Sequence, residues 1–186
     1  MGKPRSINDG VLAYMEHKYN DKLEYVSAWG SSFTSPGVRQ ILVSSDALQV
    51  KEILVVIKGE GKEETYRDNY MDWYFKTQTS EYISQVANKY FNESTVSISI
   101  AAAPSAEGIT FETDFDEYIR NADRFTHANI DIEVADEDVV REFLDELKNL
   151  DFYFSFSIDV LSTNEGYTAQ YFYGDDVIHI NRRTLR

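Results

Sequence analysis

The sequence contains no cysteine, so the residues given form no disulfide bond, no thiolate metal site and no cysteine nucleophile. No apolar run approaches the roughly 18 residues that a membrane-spanning helix needs. No serine lies in the G-x-S-x-G pattern of hydrolases, and Gly59-Glu60-Gly61 lacks the third glycine of a dinucleotide-binding loop. Because the recognisable catalytic and cofactor motifs are missing, we expect a protein that is not an enzyme and that binds no cofactor or metal.

Positive charge is also scarce. Lys and Arg total 18 against 32 Asp and Glu, which gives a formal net charge of −14. Such a charge repels phosphate backbones and anionic lipid head groups. The basic cluster of Arg182, Arg183 and Arg186 has no aromatic or glycine-rich element beside it, so we interpret it as solvated. We therefore expect no nucleic-acid partner and no direct membrane insertion.

Histidine, a common general base and metal ligand, occurs only at His17, His127 and His179, and no two have helical metal-site spacing. Carboxylates form two runs, which comprise Glu112, Asp114, Asp116 and Glu117, and then Asp131, Glu133, Asp136, Glu137 and Asp138. Neither run has the turn glycine of an EF-hand calcium loop. Helix capping and solvated faces account for both runs, although two acids held across a cleft can hydrolyse a glycoside.

The residues that are present have the composition of a folded domain, with 42% hydrophobic and 27% charged side chains. A chain of 186 residues buries roughly 70% of its unfolded surface. We expect a single domain over residues 8–186, with 103–108 as the place where two subdomains would meet. The opening over residues 1–5 is polar, and we interpret residues 1–7 as a linker remnant or as the start that remains after a leader is removed.

Hydrophobic periodicity predicts an α+β fold. Three helical stripes each pass through a short polar turn into a strand: 11–19 into 23–29, 81–91 into 95–101, and 137–150 into 152–161. Because each link is short, each helix has to pack back over the sheet that its strand joins. We expect three helix-turn-strand units on mixed, mainly antiparallel sheets.

Shorter patterns complete this prediction. Strands are expected over 39–44, 52–58, 128–134, 167–173 and 177–183, and a short helix over 114–121. The turn at 59–62 predicts a hairpin with a strand that starts near Glu64, and 174–176 predicts another. Met71, Trp73 and Phe75 alternate with polar or amphipathic neighbours, which predicts an extended segment there.

Aromatic residues are enriched, at 14% of the chain with 13 tyrosines. Two strand-like segments would carry rings on both faces, so that one face enters the core and the other exposes tyrosines that stack on sugars or peptides. The candidate ligand or partner surface comprises Tyr70, Trp73, Tyr74, Tyr167, Tyr171 and Tyr173. The alternative is that these are ordinary edge-strand tyrosines with hydroxyl groups in water.

Three segments of the first half carry a family resemblance: VLAYMEHKYNDKLEYVSAWG, QILVSSDALQVKEILVVIKG, and YRDNYMDWYF before a helix that ends in ANKYF. Over about residues 8–101 the chain resembles a group of Gram-positive bacterial proteins, often predicted lipoproteins, that have no assigned activity. Those proteins share a helix with an M-E-x-K-Y core, an aromatic strand, a charged hairpin and a D-N-Y element. The resemblance implies an extracytoplasmic domain anchored to the membrane through a lipidated cysteine upstream of residue 1.

These observations lead to three functional hypotheses. The first is a non-enzymatic binding or structural module at the cell envelope, with a protein or a glycan as its partner. The second is a cytoplasmic acidic inhibitor or immunity-type protein whose charge complements a basic partner. The third is a carboxylate-dependent hydrolase, which requires two acids facing one pocket.

Overall fold

The computed structural model describes residues 7–29, 37–59, 63–100, 103–121, 127–133, 135–149, 155–161, 165–172 and 177–184. Over these residues the protein has the expected α+β fold, with two mostly antiparallel sheets. The described residues up to Tyr74, together with 103–105, form a first unit, and those of 75–100 and from 106 onward form a second. The expectation of one domain over 8–186 with a boundary near 103–108 stays a prediction.

Over the described residues, the first unit contains α1 (Ile7–Tyr19), β1 (Leu23–Trp29), β2 (Val38–Ser45), β3 (Val50–Lys58), β4 (Thr65–Asp68) and the start of α2 (Tyr70–Ala87). Its four strands form one antiparallel sheet in the spatial order β1-β2-β3-β4. Consecutive strands pair with each other, because short hairpin connections favour antiparallel neighbours.

Strand β3 forms the centre of this sheet. Its residues 53–57 are all buried, as expected for an apolar run in a strand that has neighbours on both sides. Gly59 follows β3 with a φ of 90°, and a Cβ atom at this position would lie 2.6 Å from the backbone oxygen of Glu63. The turn therefore requires glycine, and the predicted hairpin between β3 and β4 is confirmed by pairs such as Lys58 with Thr65.

Among the described residues, the second unit contains the rest of α2, β5 (Ser94–Ser99), α3 (Phe115–Asn121), β6 (His127–Ile132), α4 (Glu137–Asn149), β7 (Ser155–Leu161), β8 (Glu165–Tyr171) and β9 (His179–Thr184). Its five strands form one sheet in the order β5-β6-β7-β8-β9. Strands β6 and β7 are parallel and the other pairs are antiparallel. The parallel pair needs a crossover, and α4 provides it.

Helix α4 has the apolar stripe that the sequence predicts. Val140, Phe143, Leu144 and Leu147 are all fully buried, at the i, i+3, i+4 spacing of one helix face. The ring centroid of Phe143 lies 5.1 Å from that of Phe91, which is in the turn after α2. This packing ties the turn after α2 to α4.

The predicted helix-turn-strand units are confirmed for α1 with β1 and for α2 with β5. In the third unit, α4 is followed by β7 as predicted, and the link over 150–154 lies outside the described residues. The short helix near 114–121 and the pairing of β8 with β9 are confirmed as well. The predicted turn at 174–176, together with Val134, Phe152 and Tyr173, lies outside the described residues.

The extended segment predicted around Met71 to Phe75 is wrong, because α2 begins at Tyr70 and continues to Ala87. Met71 and Phe75 are both buried, and four-residue steps continue the same buried face to Thr79 and Ile83. A spacing of four residues satisfies both the period of a strand and that of a helix. Five residues were therefore too short to distinguish the two.

Among the described helices, none is long and apolar enough to cross a membrane.

Candidate functional site

A cluster of charged and polar side chains in the first unit lies where the end of α1 meets the corner between β4 and α2. Lys18 Nζ donates to Asp68 Oδ2 at 2.8 Å, and the hydroxyl group of Tyr19 donates to Asp68 Oδ1 at 2.5 Å. Asp68 Oδ1 also accepts the backbone N–H of Tyr70 at 3.1 Å and so caps α2. The Asp68 side chain is 1% exposed, so these contacts replace the water that it loses.

Two stacked tyrosines extend this cluster. The rings of Tyr19 and Tyr70 are 3.9 Å apart and inclined by only 9°. The Tyr70 hydroxyl donates to Asp21 Oδ2 at 3.0 Å, and Ser45 Oγ donates to the same oxygen. Burial and the neighbouring carboxylates raise the pKa of Tyr19 above its ordinary value and that of Tyr70 to about 12. Both phenols therefore remain neutral donors at physiological pH.

Asn69 and Asp72 connect the same corner to its surroundings. Asn69 Oδ1 accepts the backbone N–H of Leu54 at 2.7 Å, and Asp72 Oδ2 accepts the Ser105 hydroxyl at 2.8 Å. Side chains of the M-E-x-K-Y and D-N-Y elements are thus hydrogen-bonded to each other. The arrangement fastens α1, β3 and α2 to one another, which is a structural role.

The second unit has a different feature, a pair of adjoining clefts beside the turn between α2 and β5. The first cleft, of about 400 Å³, is lined by Asn88, Asn92, Glu93, Ser94, Thr95, Asp131, Ile132 and Glu133. The second cleft, of about 520 Å³, is lined by Tyr90, Phe91, Asn92, Glu93, Glu133, Ala135, Asp136 and Val139. Asn92, Glu93 and Glu133 line both clefts, and we call the pair the acidic groove.

Strand register assembles the groove. Ser94 at the start of β5 pairs with Ile132 at the end of β6, and Thr95 pairs with Asp131. The turn after α2 is held by backbone hydrogen bonds, including one from the N–H of Phe91 to the carbonyl of Ala87 at 2.9 Å. Because the start of β5 pairs with the end of β6, the residues just before β5 and those just after β6 line the same clefts.

The groove is rich in exposed carboxylates. Glu93, Asp131, Glu133 and Asp136 are exposed, and within the described ranges none of the four forms an ion pair. Asp136 Oδ1 accepts the backbone N–H of Asp138 at 3.1 Å and so caps α4, as the sequence predicts. The groove can therefore attract and accept hydrogen bonds from a cationic group.

The cations close to the groove are engaged elsewhere. Arg141 and Arg182 both pair with Glu137, at 3.1 and 2.6 Å, and Lys89 pairs with Glu146 at 2.8 Å. Hydrogen bonds from these cations hold the pKa values of Glu137 and Glu146 below their ordinary range. The Tyr90 hydroxyl also donates to Glu146, which fixes the Tyr90 ring at the wall of the second cleft.

The six aromatic residues predicted as a binding surface do not share one environment. Tyr70 is 2% exposed and Tyr171 is 5% exposed, so the prediction of exposed rings is wrong for these two. Tyr70 stacks on Tyr19, and Tyr171 lies against the buried Phe156 with ring centroids 6.4 Å apart. Burying such rings against other side chains removes apolar surface from water, which stabilises the fold more than leaving them exposed.

The other four members differ again. Trp73 is half-buried, Tyr74 is 40% exposed, and Tyr173 lies outside the described residues. Tyr167 is half-buried, and its hydroxyl donates to the carbonyl of Ala135 at 3.3 Å. Burial raises the pKa of Tyr167 to about 12. Tyr74 is thus the one member shown to be well exposed over the described part of the chain, and its binding role stays a prediction.

The three histidines and the acids of the first run have separate environments in the described structure. His17 and His179 are exposed, and burial lowers the pKa of the half-buried His127. Asp114 caps α3 by accepting the N–H of Glu117 at 2.7 Å. Over the described ranges, no group of three or more His, Asp or Glu side chains could hold a metal ion.

Sequence reasoning missed the half of the groove that the turn after α2 provides. Asn88, Asn92, Glu93 and Ser94 are polar residues in or next to a short connection, where no periodicity marks them. The acids Asp131, Glu133 and Asp136 belong to one run in the sequence, which capping and solvated faces explain, with a pair of acids across a cleft as the alternative. Their meeting depends on the register of β5 on β6, which the composition of either segment does not reveal.

Comparisons with known proteins identify no family for this chain. No protein-family model matches it, and no curated protein matches it. A crystal structure of a DUF5037 family protein from Ruminococcus gnavus ATCC 29149 is similar over 95% of each chain, with 10% sequence identity and a TM-score of 0.48. It is a distant structural neighbour and adds no functional information. The Gram-positive lipoprotein assignment gains no support from these comparisons and stays a prediction.

Proposed function

We propose that this protein is a non-enzymatic binding module whose acidic groove takes a basic segment of a protein partner. The observation that carries the proposal is the set of four groove carboxylates, Glu93, Asp131, Glu133 and Asp136, which form no ion pair with any described residue. Like charges that share a concave surface repel each other, and a basic ligand would relieve that repulsion.

The charge of the whole chain supports the same class of partner. A net charge of −14 accelerates encounters with a basic protein and opposes encounters with nucleic acid. The second cleft also has apolar wall residues, Tyr90, Ala135 and Val139. Such a wall suits a peptide with apolar side chains better than a simple polyamine.

The location of the protein is a separate proposal. The resemblance to envelope proteins implies an extracytoplasmic module with a lipid anchor, and the acidic inhibitor hypothesis implies the cytoplasm. Fractionation of the source cells, followed by detection of the native protein with an antibody, distinguishes the two locations. The binding proposal holds in either compartment, because it depends on the groove alone.

Fluorescence anisotropy with a short labelled peptide of alternating Arg and Gly tests the groove directly. Neutralising Glu93 and Glu133 together as Glu93→Gln and Glu133→Gln should weaken binding by about tenfold or more, and added salt should weaken binding to the unmodified protein. These two residues are chosen because both line both clefts.

The matched control is the pair Glu112→Gln and Asp116→Gln, which changes the net charge equally at exposed positions that do not line the groove. We expect the control to bind almost as well as the unmodified protein. Equal loss of binding in both double variants would show general charge attraction and would contradict a groove-specific function.

A further inference from the structure

The five-stranded sheet of the second unit has one apolar face and one polar face. On the apolar face, Ile130, Ile158 and Ala169 are fully buried, and Lys148 of α4 lies 5.9 Å from the centroid of the Tyr171 ring. Residues that pair directly across strands share a face. The opposite face therefore carries one row of polar side chains across all five strands, which comprises Ser97, Asn129, Ser157, Gln170 and His179. We call this surface the polar face.

An exposed aromatic ring adjoins this row. Phe172 directly follows β8 and is 41% exposed. Its neighbour Tyr171 packs against the buried Phe156 on the apolar face, whereas the Phe172 ring centroid lies 6.1 Å from that of His179 on the polar face. Single exposed rings are common on protein surfaces, but this one lies beside hydrogen-bonding groups that the sheet holds in position.

The polar groups near the ring are fixed by the strands. Gln170 lies two residues before Phe172 along the strand, which is a separation of about 7 Å. One row further along, Asp159 Oδ1 accepts the Thr168 hydroxyl at 2.5 Å, which orients the half-buried carboxylate. The amide of Gln170 both donates and accepts hydrogen bonds, and the carboxylate of Asp159 accepts them. The polar face thus combines a flat apolar ring with oriented donors and acceptors.

We propose that the polar face binds a neutral carbohydrate, with the Phe172 ring against one sugar ring and with Gln170 and Asp159 on its hydroxyl groups. A sugar ring has C–H groups on its faces, which pack on an aromatic ring, and hydroxyl groups around its edge, which donate and accept hydrogen bonds. This site is separate from the acidic groove, because none of these three residues lines either cleft.

The charge of the polar face selects a neutral ligand. Asp131 and Asp159 pair in the register of β6 on β7, so two carboxylates lie side by side on this face. They repel the carboxylate and sulfate groups of acidic glycans, and the net charge of −14 adds to that repulsion. Arg182 gives no compensation there, since it pairs with Glu137 and shares the apolar face with its strand partner Tyr167.

A peptide strand fits this surface less well than a sugar. A peptide that extends a sheet binds to the free backbone groups of an edge strand. The strands that carry Asp159 and Gln170 are internal, and each pairs with a neighbour on both sides. The polar face therefore offers side chains rather than a backbone edge, and hydroxyl groups of a sugar suit such side chains.

An array of neutral oligosaccharides and of uronic-acid oligosaccharides tests the proposal on the full chain. We expect binding to neutral members only, and titration calorimetry then measures affinity for the strongest of them. Phe172→Ala should weaken that affinity by about tenfold, because it removes the stacking ring. Phe111→Ala is the matched control, since Phe111 is 44% exposed but lies in the segment before α3, and it should leave affinity unchanged.

A second variant tests the charge selection. Asp159→Asn keeps an oxygen that can accept from Thr168 and removes one negative charge. It should raise the binding of uronic-acid oligosaccharides several-fold relative to the unmodified protein, as repulsion is reduced. Thermal unfolding of both Phe variants checks the fold, and we expect little change because both rings are exposed.

The outcomes decide the proposal independently of the acidic groove. Loss of affinity in Phe172→Ala but not in Phe111→Ala supports the carbohydrate site. Binding of no neutral oligosaccharide, equal loss in both Phe variants, or equal binding of neutral and acidic members overturns it. Sedimentation that shows a dimer which Phe172→Ala dissociates would assign the surface to contact between copies of the chain, and would also overturn it. The Glu93 and Glu133 double variant should still bind the oligosaccharide.

Discussion

The carboxylates at the α1–β4–α2 corner of the first unit and the groove carboxylates of the second unit have opposite environments. In the first unit, Asp68, Asp21 and Asp72 each accept hydrogen bonds from neighbouring side chains. In the second unit, groove carboxylates such as Asp131 and Glu133 are exposed and form no ion pair with any described residue. Acidic residues of similar appearance in the sequence can therefore be buried in a hydrogen-bonded cluster, or exposed with no ion pair to any described residue.

The physical difference is burial. A carboxylate such as that of Asp68, 1% exposed, is tolerable only if its partners replace its lost hydration. An exposed carboxylate keeps its water and needs no partner, so the fold gains little from it and selection for stability does not explain its position. We therefore expect the first set to matter for folding and the second for binding.

The largest expected effect is on the buried carboxylate. Asp68→Ala should lower the free energy of unfolding by about 3–5 kcal/mol, because it removes the acceptor of three hydrogen bonds, one of them from the buried hydroxyl group of Tyr19. Asp131→Ala, the matched change at the groove, should stay within about 0.5 kcal/mol of the unmodified protein. Urea denaturation followed by circular dichroism measures the free energy of unfolding of both variants. Equal losses would contradict the expected difference between buried and exposed carboxylates.

A smaller effect is expected when the cation of an ion pair is removed. Lys18→Met should lower the free energy of unfolding by about 1–2 kcal/mol, because it removes the contact between Lys18 and the buried Asp68. The loss is limited because Tyr19 and the backbone of Tyr70 continue to donate to that carboxylate. Lys89→Met in the second unit should cost about 0.5 kcal/mol or less, since Lys89 is 60% exposed and pairs with Glu146 near the surface. The same denaturation experiment compares them, and a larger loss for Lys89→Met would contradict the role of burial.

The buried tyrosines predict an alkaline limit for the stability of the first unit. The pKa of Tyr70 rises from 10.0 to about 12 on folding, so its contribution is fully present below pH 10 and is lost as the pH rises toward 12. Tyr70→Phe should cost about 1 kcal/mol at neutral pH, because it removes the bond to Asp21, and should flatten the decline above pH 10. Free energies of unfolding at about pH 9 and about pH 11 measure this change. An unchanged slope in the variant would show that Tyr70 does not contribute to the limit.

The smallest effect is expected from neutralising the groove. Glu133→Gln should leave stability unchanged or raise it by a few tenths of a kcal/mol, since repulsion with neighbouring carboxylates is reduced and no described ion pair is lost. Thermal unfolding at low salt detects such a change best. A clear destabilisation would mean that Glu133 has a structural role and would weaken its assignment to binding.

Much of the fold could be predicted from local patterns. The apolar stripe of α4, the alternation in β6 and the glycine turn after β3 each predicted the element that the structure contains. The strand prediction at 71–75 is wrong because the spacing of its apolar residues fits both a strand and a helix. Asp68, whose side chain caps α2, lies before these five residues and so is not part of the pattern. The prediction of an exposed aromatic surface is wrong at Tyr70 and Tyr171, because composition does not indicate which rings pack against a buried neighbour.

The sequence alone determined the helix-turn-strand units, the acidic charge and the absence of recognisable catalytic motifs, because these depend on residues close together in the chain. Tertiary structure decided which polar groups meet. Lys18 contacts Asp68 fifty positions away, and Thr95 lies beside Asp131 only through the pairing of β5 with β6. Such contacts depend on strand register and helix packing, which are settled by the burial of the whole core rather than by any local pattern.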